Sequence, residues 1–412
     1  MRISSAELVQ KRVERQCRVL LTGGTGFLGS HLASALLKAG VEVHLLARAD
    51  KRHSARERVD LLLDWFGLGA EERRRLRVIE GSIDHPGLDL DPETGANLRL
   101  TTDEIIHCAS CTSFTERNRL EVEASNIQGL AHVLEFAAAS RCANFHHLST
   151  AYAAGRRIGL CREDLVDSGP YNNVYEETKA QGERTVWEVC RREGIVPSIY
   201  RPSIVYGDSK TGRSLRFNAV YYPVKTALFL KNIYEVDIAQ RGGKKADQVG
   251  VRRESDGSLF MPLRLEVSDG GGINLIPVDY FVSAFLALME ERPDGGIFHI
   301  VNPRLKKIED IIDYARRLFG LRGIEPCRTD DFKEKPKNAL EVLYDSYLEA
   351  YSPYMRDTKT FDVSRAGPVL QKRGIACPEF DYDVFARCMN YAIEVDWGSR
   401  LHPEPARPKP AG

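Results

Sequence analysis

Residues 17–29 read Cys17-Arg18-Val19-Leu20-Leu21-Thr22-Gly23-Gly24-Thr25-Gly26-Phe27-Leu28-Gly29. An apolar run breaks into glycines and then into the amphipathic stretch Ser30 to Ala39, which is the pattern of strand, tight turn and helix. Gly23, Gly26 and Gly29 fit G-x-x-G-x-x-G, while Gly24, Gly26 and Gly29 fit G-x-G-x-x-G. Such glycines let the turn form, let backbone approach a pyrophosphate and let the helix pack close on its strand. A diphosphate would sit at the helix N-terminus, where unpaired N–H groups and the positive dipole end stabilise it.

Working outward, Gly40 ends the helix and Val41 to Arg48 (VEVHLLAR) supplies a second strand, apolar nearly throughout as burial on both faces requires. The residue after that strand selects the cofactor: a carboxylate would bond the ribose 2'-hydroxyl of NAD, whereas an arginine accommodates the 2'-phosphate of NADP. Here it is Arg48, followed by Lys51, Arg52, Arg56 and Arg58, with Asp50 as the dissenting carboxylate. NADP, with NADPH preferred over NADH, is the expectation. Arg77 to Ile83 forms a third strand whose loop, Ser82 to Leu90, should pass near the adenine. The fourth, Glu104 to Cys108, ends in HCASCTSF. A helix over about Leu120 to Ala139 carries Asn126, and the fifth strand, Asn144 to Leu148, runs into Ser149 and Thr150. Alternation at this spacing predicts an α/β chain with a Rossmann-type doubly wound parallel sheet and ligands at the strands' carboxyl ends.

Tyr175 and Lys179 stand four apart in YEETKAQGE and would share a helix face. An ammonium beside a phenol stabilises the phenolate and lowers its pKa, which suits the tyrosine to exchange a proton during carbonyl reduction. Thr150 can donate a hydrogen bond to the same carbonyl oxygen as negative charge develops there. Lys179 can also bond the nicotinamide ribose. Tyr152 is close to Thr150 but has no lysine at helical spacing. His146 and His147 alternate faces of a strand, and neither is needed for this chemistry.

The 412 residues carry 58 Lys+Arg against 58 Asp+Glu, so charge offers no argument for nucleic acid or an anionic membrane as partner. The nine cysteines are scattered with no signal peptide ahead of them, which points to a cytoplasmic, reducing compartment. No apolar run approaches the ~18 residues that span a bilayer. Cys108 and Cys111 form a lone C-x-x-C without the second pair that a four-ligand metal site needs, so the reading is packing and no metal.

The chain resembles the extended short-chain dehydrogenase/reductase family over roughly residues 17–305. The resemblance is carried by the glycine turn, by Asn126 in NIQG, Thr150 in HLSTAYAAG, Tyr175 and Lys179 in YxxxK, and RPSIVYG at Arg201 to Gly207. Within it, LLAR with Arg58 downstream, IHCASCTSF with Phe114, LSTAYAAG and NNVYEETKAQGE are most similar to the thioester reductase branch: fatty acyl-CoA reductases and the terminal reductase domains of carboxylic acid reductases and carrier-bound assembly lines. The resemblance implies Thr150, Tyr175, Lys179 and Asn126 as the catalytic set, Asn126 supporting the helix backbone and an active-site water. It implies a nucleotide held by Thr22, Gly23, Thr25, Gly26, Phe27, Leu28 and Gly29, by Arg48 and Arg58, by Ser82 and Ile83, by Cys108, Ala109 and Ser110, and by Lys179, Pro202, Ser203 and Ile204. The chain departs from the family at Ser82, where an acidic residue commonly follows Gly81, with Asp84 two residues on. It departs again after about residue 305, which does not match the helical domain of the fatty acyl-CoA reductases.

These readings divide the chain into an N-terminal extension (1–16), an NADP-binding domain (17–215), a substrate-region insertion (216–272), a return to the sheet (273–305), a smaller, mostly helical substrate or lid region (306–400) and a proline-rich disordered tail (401–412). Phe217 to Tyr234 reads either as a helix lining an apolar substrate channel or as core. Gln240 to Gly257 reads as a mobile insertion whose Arg241, Lys244 and Lys245 either meet phosphates or are solvated. The expected function is NADPH-dependent reduction of a carbonyl, an acyl thioester on CoA or on an acyl carrier protein, to aldehyde and on to alcohol if a second hydride follows; an oligomer is compatible with this. The rivals are a family member acting on a nucleotide sugar, sterol or free ketone, and a non-catalytic NADP-binding protein.

Overall fold

A computed structural model describes residues 7, 9–268 and 271–401. The chain divides into two compact units, residues 1–203 with 278–301 and 360–377, and residues 204–277 with 302–359 and 378–412. The expected tail, but for Leu401, lies outside the described residues.

The first unit is built on seven parallel strands: β1 (Arg18–Thr22), β2 (Glu42–Ala47), β3 (Leu76–Glu80), β4 (Glu104–His107), β5 (Asn144–Leu148), β7 (Val196–Pro202) and β12 (Gly296–Ile300), in the order β12-β7-β5-β4-β1-β2-β3. The order reverses at β1, where β4 pairs on one side and β2 on the other, which opens a crevice at the carboxyl ends of β1 and β4. Val19, Leu20, Leu21, Ile105, Ile106, Phe145 and Ile199 are sealed from solvent, so these strands read as apolar runs because helices cover both faces. A small parallel pair, β6 (Leu160–Cys161) with β14 (Thr360–Phe361), completes the unit.

The short helix Gln10–Glu14, expected to lie outside the nucleotide fold, is tied into it by Arg12, whose guanidinium bonds Glu104 at 3.0 Å and Glu290 at 2.6 Å. Burial alone would raise Glu104, but His146 and Arg12 bring it down to about 2. His146 completes this buried chain by bonding Tyr200 at 3.0 Å.

In the second unit, β8 (Ile204–Tyr206) pairs in parallel with β11 (Leu275–Pro277), and β10 (Leu259–Glu266) lies between β9 (Arg252–Arg253) and β13 (Leu321–Cys327). Of that sheet only β13 falls within residues 306–400, the region expected to be mostly helical. The helix Tyr221–Gln240 turns Tyr221, Val224, Leu230 and Tyr234 into the unit's core, which is the packing reading of that stretch. The presumed mobile insertion is ordered instead: Asp237 is buried and accepts the backbone N–H groups of Lys245 at 2.9 Å and Ala246 at 3.1 Å, starting the helix Lys244–Gln248. Among the described residues no helix is long and apolar enough to cross a membrane.

Candidate active site

The glycine turn closes on itself through Gly26 N–H donating to the Gly23 carbonyl at 2.9 Å. Gly23 sits at φ +72°, and a side chain there would run into the backbone of Cys108 and Ala109 at 2.4–2.7 Å. A Cβ on Gly29 would lie 2.3 Å from the Gly23 carbonyl oxygen, so helix and turn touch here only because residue 29 is glycine. The helix Phe27–Ala39 starts at Gly26 with no side-chain cap, leaving its first N–H groups for an anion, and stops at Gly40 in the left-handed region.

Arg58 reaches back to this turn, donating to the Arg48 carbonyl at 2.6 Å and the Thr25 hydroxyl at 3.3 Å, and pairing with Asp50 at 3.2 Å. Arg48 is largely exposed and pairs with Asp84 at 2.7 Å, whose carboxylate also accepts from Ser82 at 2.9 Å. The departure at Ser82 thus places a carboxylate nearby from Asp84. Arg56 pairs along its own helix with Asp60 and is solvated. Thr22 is fully buried with its hydroxyl on His107 Nδ1 at 2.8 Å, so that hydroxyl braces β1 against β4. Ile83 is buried, and its carbonyl bonds His132 at 2.8 Å. At the end of β7, Pro202 is buried and Ser203 N–H donates to the Ile300 carbonyl at 3.1 Å. The Ser203 hydroxyl is buried without a hydrogen-bond partner among the described residues, and Ile204 falls in the second unit. An uncapped helix start, a cradle open only to glycine and an unsatisfied hydroxyl at the β7 end fit a dinucleotide.

Tyr175 and Lys179 lie on the helix Val174–Arg192, started by the Asn173 side chain, which accepts Glu176 N–H at 3.0 Å. Thr150 ends the β5 segment, accepting Tyr152 N–H at 3.2 Å, and hydrogen-bonds the Tyr175 phenol. The Phe114 ring packs 5.8 Å from that of Tyr175. The sequence led us to expect a phenol acidified by Lys179, and the structure differs: burial raises Tyr175, Thr150 works the other way, and Lys179 does not contribute. Lys179 is itself buried, and its ammonium is engaged by the Leu148 carbonyl. Burial lowers it to about 8 against the opposing pull of Glu183 and Cys108. Tyr152 is buried against Phe361.

Asn126 clamps the site from behind. It lies in a π-type turn, Ala124–Gln128; its side-chain oxygen accepts from Cys111 N–H at 2.8 Å and Ser110 at 3.0 Å, and its nitrogen donates to the Cys111 carbonyl and the Thr178 hydroxyl, both at 3.0 Å. It therefore joins the loop after β4, which carries Ala109 and Ser110, to the helix bearing Tyr175. The Cys108 thiol is pushed up to about 12 by burial, with Lys179 pulling down.

Sequence reasoning missed Glu183, four residues beyond Lys179. It takes a bidentate pair from Arg201, at 2.8 and 2.6 Å, and the Ser149 hydroxyl at 2.5 Å, all buried. This pins the helix to β5 and β7. The signal available was only a glutamate one turn after the lysine and an arginine opening RPSIVYG.

Fold and site together define an NAD(P)-dependent oxidoreductase of the extended short-chain dehydrogenase/reductase type. More narrowly, the chain belongs to the male sterility protein family, whose model matches residues 21–285. Among curated proteins it is similar to a component of the linear gramicidin synthase of Brevibacillus parabrevis, 24% identical over 389 residues, which is 90% of this chain and 7% of that protein. It is also similar to the aldehyde reductase lnaA of Aspergillus flavus, 29% identical over 211 residues, 47% of this chain and 20% of that one. The chain thus spans a small part of the length of these relatives. Among solved structures, the terminal R domain from the myxalamid PKS-NRPS biosynthetic pathway superposes with TM-score 0.72 at 23% identity, covering 92% of this chain and 91% of that one. UDP-glucuronic acid 4-epimerase from Bacillus cereus, in complex with NAD, gives TM-score 0.60 at 19% identity, covering 92% and 99%. These two likenesses concern the fold.

Proposed function

We propose that the chain reduces an acyl thioester carried on a phosphopantetheine arm, of a carrier protein or of CoA, and prefers NADPH. The observation that carries the reading is the placement of Thr150 just after β5, with Tyr175 and a buried Lys179 that bonds the Leu148 carbonyl one turn apart on the next helix, behind a dinucleotide turn. Gly23, Gly26 and Gly29 with Ser203 would hold the dinucleotide, which supplies the hydride when bound. Arg58, drawn between Thr25 and the end of β2, would face a 2'-phosphate with Arg48 beside it. Thr150 and Tyr175 donate hydrogen bonds to the carbonyl oxygen as it gains charge, and Tyr175 gives up its proton there. Because burial keeps Tyr175 protonated well above neutral pH, it stands ready as the acid. Lys179, charged below about pH 8, lies one turn along the helix and would hold the nicotinamide ribose rather than acidify the phenol. The resulting hemithioacetal collapses to aldehyde and thiol. A carrier-bound substrate is favoured by the similarity to the gramicidin synthase component.

The test incubates the purified protein with NADPH and a panel of acyl-CoA and acyl-carrier thioesters, following cofactor oxidation and free thiol together. Matched loss of NADPH and release of thiol is expected. Turnover of nucleotide sugars or ketones with no thiol release from any thioester would replace the proposal with the rival reading.

A further inference from the structure

Six large apolar side chains stand out in solvent on two neighbouring helices of the second unit. Phe229, Ile233 and Val236 lie on the helix Tyr221–Gln240, and Val342, Leu343 and Tyr347 on the helix Ala339–Leu348, each 38–56% exposed. The rings of Phe229 and Tyr347 join the helices across this face at 6.2 Å, and behind it the Tyr344 hydroxyl donates to the Pro223 carbonyl at 3.2 Å. Single apolar residues on a surface need no explanation, but a contiguous set marks a face that something covers.

The pattern along Tyr221–Gln240 identifies the occupant. The helix exposes Lys225, Phe229, Asn232, Val236 and Ala239, at alternating steps of four and three, with Ile233 alongside. That is the spacing of a coiled-coil seam, which a second helix fills. Charges beside the seam are spent within the unit: Glu235 pairs with Lys231 at 2.8 Å, Asp345 pairs with Lys337 at 2.5 Å, and the Lys225 ammonium lies 5.6 Å from the centre of the Trp397 ring. The face therefore gives no electrostatic hold to an acidic carrier protein or to an anionic membrane. Asn232, at the centre of the seam, is matched by an identical helix: its amide holds both donor and acceptor and can pair with its own copy. A single Asn in an otherwise apolar seam also fixes the register.

We infer that two copies of the chain associate through this face, their Tyr221–Gln240 helices antiparallel about a two-fold axis that passes between Asn232 and Ile233. In that register Phe229 meets the partner's Val236 and Lys225 meets the partner's Gln240, so no like charges face each other. A parallel pair would set Lys225 against its own copy and Phe229 against its own copy. The contact is isologous, which closes the assembly at two. The longer helix has 20 residues and so is about 30 Å long, and neighbouring helices pack about 8–10 Å apart. The two helices thus present on the order of 500–600 Å² per copy. A total of about 1,000–1,200 Å² lies at the low end of specific interfaces, so a dimer with a micromolar Kd is expected. The inference goes beyond the proposed reduction and does not rest on it.

The experiment is sedimentation velocity of the purified chain from about 1 to about 100 μM, for the wild type, Val236→Lys, Phe229→Glu and an equimolar mixture of the two variants. Both positions are exposed, so the fold is expected to survive, and a thermal melt of each variant checks it. The wild type should pass from monomer to dimer, and each variant alone should associate at least about tenfold more weakly. The mixture should regain most of the dimer, because the antiparallel register sets the new cation of one chain against the new anion of the other. Asn232→Cys, beside the two-fold axis, should cross-link to its own copy on mild oxidation, whereas Lys225→Cys, far from the axis, should not. A wild type still monomeric at about 100 μM overturns the inference. So does a dimer indifferent to Val236→Lys, a mixture no more dimeric than its components, or cross-linking at position 225 equal to that at 232. Binding of an added acyl carrier protein to a monomeric wild type, lost in Val236→Lys, would also overturn it and give the face to that partner. Turnover is not read, so failure of the proposed activity is separable from failure of the dimer.

Discussion

Glu183→Gln probes how the Tyr175 helix is held in place. Glu183 and Arg201 have side chains no more than 1% exposed, and the guanidinium spends two of its donors on the carboxylate. Removing one member of a buried pair leaves the other charged without compensation, at about 3–5 kcal/mol. Glutamine keeps an oxygen for Ser149, and Arg201 keeps the carbonyls of Arg162 and Asp164, so the lower end, about 3 kcal/mol, is expected. At roughly 2–4 °C per kcal/mol for a unit of this size, Tm should fall by about 6–12 °C in a calorimetric scan. Pairing Glu183→Gln with Arg201→Met should recover most of the loss, because no buried charge is then left alone. A second readout is independent of stability: Glu183 raises the Lys179 pKa, so the alkaline limb of turnover should move to lower pH. A drop in Tm of less than about 2 °C, equivalent to under ~1 kcal/mol, would refute the reasoning.

Three further outcomes are expected. Tyr175→Phe should lower kcat by about 10²–10⁴-fold while NADPH still binds with near-native affinity, as read by kinetics and fluorescence titration; unchanged turnover would favour a non-catalytic role. Arg58→Ala should weaken NADPH more than NADH, by about tenfold in relative kcat/KM, because one charged partner of a phosphate is lost; equal effects on both cofactors would remove the basis for NADP preference. Glu163, whose carboxyl is raised to about 7 by burial against the hydrogen bonds of His299 and Arg365 N–H, binds its proton more tightly folded than unfolded. Its contribution is therefore present below about pH 4.5 and lost as pH rises through 7, so wild type should gain on Glu163→Gln by up to about 3 kcal/mol between pH 7 and 4.5 in denaturant melts.

The cofactor half was legible because its signals are local. Gly23, Gly26 and Gly29 sit within one turn, and the strands that follow alternate with helices at βαβ spacing. Thr150, Tyr175 and Lys179 could be grouped because one strand end and one helical turn hold them. What stayed hidden depends on partners far along the chain. Arg12 gave no sign that Glu104 and Glu290 would bury it. The strand β13 was obscured by Gly323 and Pro326, residues that argue against a strand, yet Gly323 takes φ +75° where a Cβ would strike the Phe260 ring at 2.7 Å. Asp237 likewise ordered a charged, glycine-bearing stretch by capping it from a neighbouring helix. The pKa expectation for Tyr175 failed for another reason: helical spacing gives proximity, but burial and the Leu148 carbonyl, which the spacing does not encode, decide the balance.

The central claim is thioester reduction, and single-turnover mixing tests it most directly. Protein preloaded with NADPH is mixed with an acyl-phosphopantetheine thioester on a carrier protein or on CoA, and NADPH loss, free thiol and aldehyde are quantified together. The account predicts one thiol and one aldehyde released per NADPH oxidised when reduction stops at the first step, and one thiol per two NADPH when alcohol forms. NADPH oxidation by carbonyl compounds with no thiol released from any thioester would contradict it.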